Sequence, residues 1–259
     1  MKKYTLLILA FAISAFANDQ ELRLSVNTMS MDYTEFNFDG SFADSEKTNA
    51  LAGLSLNYST QISDGIFSDG GYFDVDLSLY QGNTRYDGFY LDSNGNITGP
   101  ANNKTTKNII TDSSIGYSEA KRLSNALWVT RLGIGYRFWE RALEGGHTED
   151  YAWSYGSLST GISGNLFTND NIGISVEYHR AFTPKMESNQ FGVFDLGRTD
   201  GYSITVPWVH TISPSWAFKF TYMYQTWNIE HSSIHSDNRY EPRSESNFNI
   251  FNAGLVYCY

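Results

Sequence analysis

Phe251-Asn252-Ala253-Gly254-Leu255-Val256-Tyr257-Cys258-Tyr259 ends this chain, with Phe251, Ala253, Leu255, Tyr257 and Tyr259 on every second position. Side chains on a strand alternate between its two faces, so this stretch is a strand with one apolar, aromatic-ended face. The last strand of a soluble sandwich would also read this way, and the rest of the chain has to separate the two.

At the other end, Met1-Lys2-Lys3 is a short basic start, and Leu6 to Phe16 is an apolar run. Ala15-Phe16-Ala17 is the small-x-small pattern of a signal-peptidase site. The run falls short of the roughly 20 apolar residues of a membrane helix. The expectation is therefore a signal peptide over 1–17, cleaved after Ala17, and a single mature domain over 18–259. The formal charge is −10, and losing Lys2 and Lys3 makes the mature chain more acidic still. An acidic exported chain is a poor nucleic-acid binder. Cys258 is the single cysteine, so no internal disulfide and no lipobox are possible. With no other stretch apolar enough for a membrane helix, any span must be a strand.

The terminal strand resembles the closing strand of bacterial outer-membrane β-barrels, which end on an aromatic residue, most often Phe; here it is Tyr259. The resemblance implies a Gram-negative outer-membrane location, with membrane lipid and lipopolysaccharide as surroundings. It also implies recognition of the C-terminal strand by the barrel-assembly machinery. Composition agrees with it: 17 Phe, 18 Tyr and 6 Trp accompany 22 Gly and only 5 Pro. That balance suits an apolar outer band around a polar lumen.

Period-2 alternation runs along most of the mature chain and predicts ten strands, with eight or twelve as alternatives. They fall near 20–37, 48–60, 71–83, 108–119, 125–139, 150–164, 171–181, 201–211, 215–228 and the C-terminal stretch. A slip near Met29 suggests a bulge. Connections alternate in length. Turns near Ser63-Asp64-Gly65, Lys121 to Ser124, Thr168-Asn169-Asp170 and Ser213-Pro214, the last three of them short, would face the periplasm. Residues 84–107, 140–149, 182–200 and 229–246 would form outward loops. This is the pattern of an antiparallel up-and-down transmembrane barrel.

Aromatics near strand ends, among them Tyr136, Trp208, Trp216, Tyr257 and Tyr259, suit interfacial girdles. If the apolar phase meets lipid, the opposite phase lines the lumen with Asp74, Asp76, Arg131, Arg137, Glu177, His179 and Lys219. Charges in so narrow an interior need partners or water. They read first as a paired ionic plug and second as a charge-lined path for small solutes. Gly133 and Gly135 make room for long neighbours.

Two barrel-enzyme families offer a comparison. Omptin proteases use an Asp pair and an Asp-His pair at the extracellular rim. Asp74-Val75-Asp76 resembles the first pair but sits toward the periplasmic side, and no Asp-x-His follows. Lipid A deacylase barrels use a His-Ser-Glu arrangement, and no His-x-Ser occurs within a strand's lipid phase. No catalytic residue, cofactor or metal is expected. His231, His235, Glu230 and Asp237 read as a solvated loop. Asp92 to Asn96 opens like a calcium loop but has Asn103 where the bidentate Glu belongs. Arg137-Phe138-Trp139-Glu140-Arg141 reads as a strand-end girdle, or as a lipopolysaccharide contact. The functional expectation is a structural or surface-interaction barrel acting through its extracellular loops, with an unidentified extracellular ligand. A narrow channel is the alternative, and a barrel enzyme a more remote one.

Overall fold

The computed structural model describes residues 20–66, 68–91, 97–235 and 239–259. The signal-peptide and cleavage-site reading, the calcium-like loop Asp92 to Asn96, and Asp237 lie outside the described residues. The strands are β1 (Gln20–Phe36), β2 (Phe42–Ser63), β3 (Gly70–Leu91), β4 (Ile97–Leu123), β5 (Ala126–Leu143) and β6 (Thr148–Phe167). They continue as β7 (Asp170–Ser188), β8 (Gly192–Asp195), β9 (Thr199–Ser213), β10 (Trp216–Ile229) and β11 (Arg243–Cys258).

Each long strand pairs antiparallel with its neighbours, β1 pairs with β11, and β6 pairs with β7 and so closes the ring. Ten strands form this ring among the described residues, while β8 only folds back on the end of β7. A closed ring leaves no unpaired edge, so strands can cross hydrocarbon with their backbone groups satisfied. The first and last described residues meet, with Gln20 and Tyr259 exchanging backbone hydrogen bonds of 3.1 Å. The periplasmic turns are short: Ser124-Asn125, Thr168-Asn169 and Pro214-Ser215 each join two strands.

The outward face marks the membrane. Leu24, Val26, Leu54, Leu132, Ile134, Leu158, Ile174, Val176 and Phe251 are exposed on it, far more than a soluble protein tolerates. Trp128, Trp216, Tyr257 and Tyr259 rim this band at the periplasmic end, and Tyr136, Tyr178, Tyr202 and Tyr222 rim it at the other. Along β5 the band runs from Trp128 to Tyr136, close to the 9–11 tilted residues a spanning strand needs.

The strands do not stop there. Residues 84–107 were expected to be a loop, yet β3 runs to Leu91 and β4 starts at Ile97. Most of 182–200 is likewise strand, through β7 and β8. Above the membrane the outward face turns polar, so the apolar alternation that signals a lipid-facing strand fades although the ladder continues. The irregularity expected at Met29 is real but belongs to β2, where the register jumps between Leu51 and Thr48. Met29 and Met31 both point inward in unbroken phase and are buried.

Candidate functional site in the barrel lumen

The inward side chains stack in three tiers. In the lowest, Arg131 of β5 pairs with Asp74, with Asp76 at 3.2 Å and with Glu177 at 3.5 Å. Ser118 donates to Asp74 at 3.0 Å, and Ser114 to Asp76 at 3.3 Å. Asn57 donates to Asp76 and accepts from Arg23 at 2.6 Å. Gly116 and Gly133 make this possible, since a Cβ at either would lie 2.5 or 2.7 Å from the Arg131 guanidinium. This tier is wet: the Asp76 side chain is 40 % exposed.

In the middle tier Arg137 pairs with Asp112 at 2.9 Å and donates to Gln225 at 2.6 Å. Tyr155 donates to Asp112 at 2.5 Å. Arg137 also lies over the Trp227 and Phe248 rings, and His179 stacks on Trp227 with centroids 5.2 Å apart. Gly135 admits Tyr155, whose ring would be 2.3 Å from an added Cβ.

The third tier stands above the outer aromatic girdle. Arg141, whose side chain is 1 % exposed, reaches Glu35 at 3.0 Å, Glu46 at 2.8 Å and Glu149 at 2.6 Å, with Asp44 at 3.9 Å. Tyr33 bonds Glu35, and Tyr151 donates to Glu241 at 2.5 Å. Around them pack Trp139, Trp153, Tyr155, Trp227, Phe248, Met29, Met31, Leu51 and Ile250, a dry core inside the barrel. Burial pushes the Glu35, Asp44, Glu149 and Glu241 carboxyls above their ordinary range, and repulsion among the acids pushes further. Burial opposes the charge on Arg141, but the surrounding acids outweigh it and raise its pKa.

No protein-family model matches this sequence, and no curated protein matches it. Solved structures do. The outer-membrane protease OmpT from Escherichia coli superposes with a TM-score of 0.65 at 11% identity, covering 94% of this chain and 97% of that one. The chain folds as a bacterial outer-membrane β-barrel. The outer membrane protein OprG from Pseudomonas aeruginosa aligns more loosely, with a TM-score of 0.38 at 13% identity over 94% of this chain and 97% of that one. The P. putida toluene transporter TodX gives 0.34 at 10% over 93% and 90%. At such identities the likeness is one of fold, and the apolar band sets this barrel in an outer membrane, surrounded by its lipid.

Placement of the sequence-derived residues is now plain. Asp74, Asp76, Arg131 and Glu177 meet in one network; Arg137 and His179 belong to the tier above; Lys219 meets none of them within ion-pair distance. Tyr136, Trp208, Trp216, Tyr257 and Tyr259 face outward, where Trp216 packs on Tyr257 and Tyr257 on Tyr259. Both readings of Arg137 to Arg141, as a strand-end girdle and as a lipopolysaccharide contact, are overturned: Arg137, Trp139 and Arg141 all point into the lumen and are buried. Sequence reading missed the third tier. Its signal was present in Tyr33-x-Glu35, Asp44-x-Glu46 and Glu149-x-Tyr151-x-Trp153, which continue the inward phase.

Proposed function

We propose that this barrel is a non-enzymatic outer-membrane protein with a closed lumen, acting as a structural or surface-interaction element through its protruding extracellular half. The observation that carries the reading is the third tier. Arg141, Trp139 and Tyr151 are fully buried across the lumen, so a solute would have to displace both an ion network and an aromatic core. Interiors of barrels this narrow are ordinarily filled by side chains.

The geometry speaks against catalysis. His147 lies 3.0 Å from Ser188 and 3.6 Å from Glu149, a grouping the sequence hid. Both contacts fall on Nε2, whereas a relay needs the nucleophile on one ring nitrogen and the acid on the other. Ser188 Oγ is also engaged by the backbone N–H groups of Gln190 and Phe191, as a turn cap. His210 and Asp170, 3.0 Å apart, sit at the periplasmic end.

A narrow ion or solute channel is the second reading, favoured by the partial exposure of Asp76 in the lowest tier. Recognition of the Tyr259-ended strand by the barrel-assembly machinery, and contact of the extracellular half with lipopolysaccharide or another ligand, belong to the same proposal. Swelling of liposomes carrying the refolded barrel tests it. No swelling in small sugars or amino acids is expected, and swelling at porin-like rates would replace this reading with the channel.

A further inference from the structure

A buried chain of hydrogen bonds crosses the third tier. It runs from Glu241, just before β11, through Tyr151 of β6 and Tyr33 of β1 to Glu35. Tyr33 and Tyr151 are fully buried, and both acids are buried with them. The chain makes three oxygen–oxygen contacts: Glu241 to Tyr151 at 2.5 Å, Tyr151 to Tyr33 at 3.2 Å, and Tyr33 to Glu35. Each contact needs one hydrogen, and the two phenols supply only one apiece. With both acids ionised, Tyr151 donates to Glu241 and Tyr33 to Glu35, and nothing is left for the contact between the tyrosines.

Arg141 does not make up the shortfall. Its Nη1 lies 3.2 Å from the Tyr151 hydroxyl and 3.3 Å from that of Tyr33. The two hydrogens of Nη1 are also claimed by Glu35 at 3.0 Å and Glu149 at 2.6 Å. Asp44 and Glu46 of β2 face the same guanidinium, so five carboxyls share one cation. Tyr86 of β3 adjoins Asp44 and adds no positive charge. Burial, then Arg141, hold His147 below its ordinary pKa, so it leaves Glu149, 3.6 Å away, uncompensated. Glu35 has Arg141 as its counter-charge, whereas Glu241 has no cation within ion-pair distance among the described residues. The missing hydrogen therefore belongs on Glu241.

We infer that the third tier carries a proton latch: one proton, held on Glu241, completes the chain and keeps the extracellular half packed. Protonated Glu241 donates to Tyr151, Tyr151 to Tyr33, and Tyr33 to an ionised Glu35 that faces Arg141. Every contact is then filled, and one negative charge is removed from the dry core. Losing the proton empties the middle contact and restores the charge, so the extracellular half loosens while the membrane half does not. Burial, then Glu35 and Glu149, hold the Glu241 carboxyl well above its ordinary value of 4.5, so the packed tier binds the proton more tightly than an opened one. The latch is complete below that ordinary value and is lost as pH rises through the packed one.

Infrared difference spectroscopy and amide hydrogen exchange on the refolded barrel in detergent test this. Near neutral pH the wild-type barrel should show a buried protonated-carboxyl band that Glu241→Gln weakens. Corrected for intrinsic exchange, protection of the amides around Tyr33 and Tyr151 should fall about fivefold or more from mildly acidic to mildly alkaline buffer. The fall should be much smaller in Glu241→Gln, whose neutral amide can donate to Tyr151 at every pH. Amides around Leu132 and Ile134 should not respond. Tyr33→Phe removes the middle contact, so an ionised Glu241 no longer deprives a neighbour of its hydrogen, and the band should titrate at lower pH. The latch would be overturned by a band that is absent, untouched by Glu241→Gln or unmoved by Tyr33→Phe. An equal fall in protection with and without Glu241, or failure of Glu241→Gln to give the gel shift of a folded barrel, would overturn it too. A barrel silent in a bilayer but lacking the band would keep its closed lumen and lose the latch.

Discussion

The two halves of this barrel are built on opposite plans. In the membrane half, Leu132 and Ile134 face out while Arg131, Asp74 and Glu177 face in. Above the girdle the order reverses: Trp139, Tyr151 and Phe248 are buried inside, and Glu140 takes the outer face. β5 and β6 run through the boundary without a break in phase, so there the change is made by side-chain choice, while β2 and β7 each take up an extra residue near it. β6 displays it within one strand, as Tyr151, Trp153 and Tyr155 point inward and Leu158 and Ile162 outward. Lipid is an apolar solvent and the extracellular space is not, so each half puts its apolar side chains where its own solvent requires. The comparison also separates two kinds of ion network. Water reaches the acids around Arg131, whereas those around Arg141 must be paired or protonated.

The largest effect should come from Arg141→Ala, which leaves Glu46 and its neighbours buried without a counter-charge. We expect a loss of about 3–5 kcal/mol, read by urea unfolding in micelles. A loss no greater than that of Arg131→Ala would break the contrast between the tiers. Next, Leu132→Arg puts a charge in hydrocarbon and should cost about 2–4 kcal/mol. Glu140→Arg, on the same face of β5 above the girdle, should stay within about 0.5 kcal/mol. Similar costs at both positions would misplace the membrane boundary.

Arg131→Ala should cost only about 1–3 kcal/mol, because the abandoned carboxylates can hydrate. The smallest effect is one of pH. Glu241 lies in the segment joining β10 to β11, and its carboxyl is held well above its ordinary value of 4.5 by burial, then by Glu35 and Glu149. The folded state therefore binds this proton more tightly than the unfolded one. Its contribution is most favourable below pH 4.5 and declines as pH rises toward the folded value. Glu241→Gln should flatten the fall in melting temperature between mildly acidic and mildly alkaline buffer, by the equivalent of about 1 kcal/mol. An unchanged slope would show that Glu35, Asp44 and Glu149 hold the protons instead.

The membrane half was legible because its physics is periodic. Alternation of apolar with polar residues gave ten strands, the short turns and the inward placement of Asp74, Arg131 and Lys219. Which charges touch was not legible: Arg131 meets Asp76 across β4, a relation of barrel register rather than of chain. The extracellular half was misread as loops for a related reason. Its apolar residues lie in the inward phase, and Glu35, Glu46 and Glu149 lie among them, so no alternation of the expected sign survives. The Glu241 contact depends on the path of an irregular segment, which has no period to read.

Single-channel recording of the refolded barrel in a planar bilayer, with the heat-dependent gel shift as proof of folding, bears most directly on the claim that the third tier closes the lumen. A folded barrel that stays silent is the result this account predicts. Discrete, reproducible conductance steps from the wild-type barrel would contradict it.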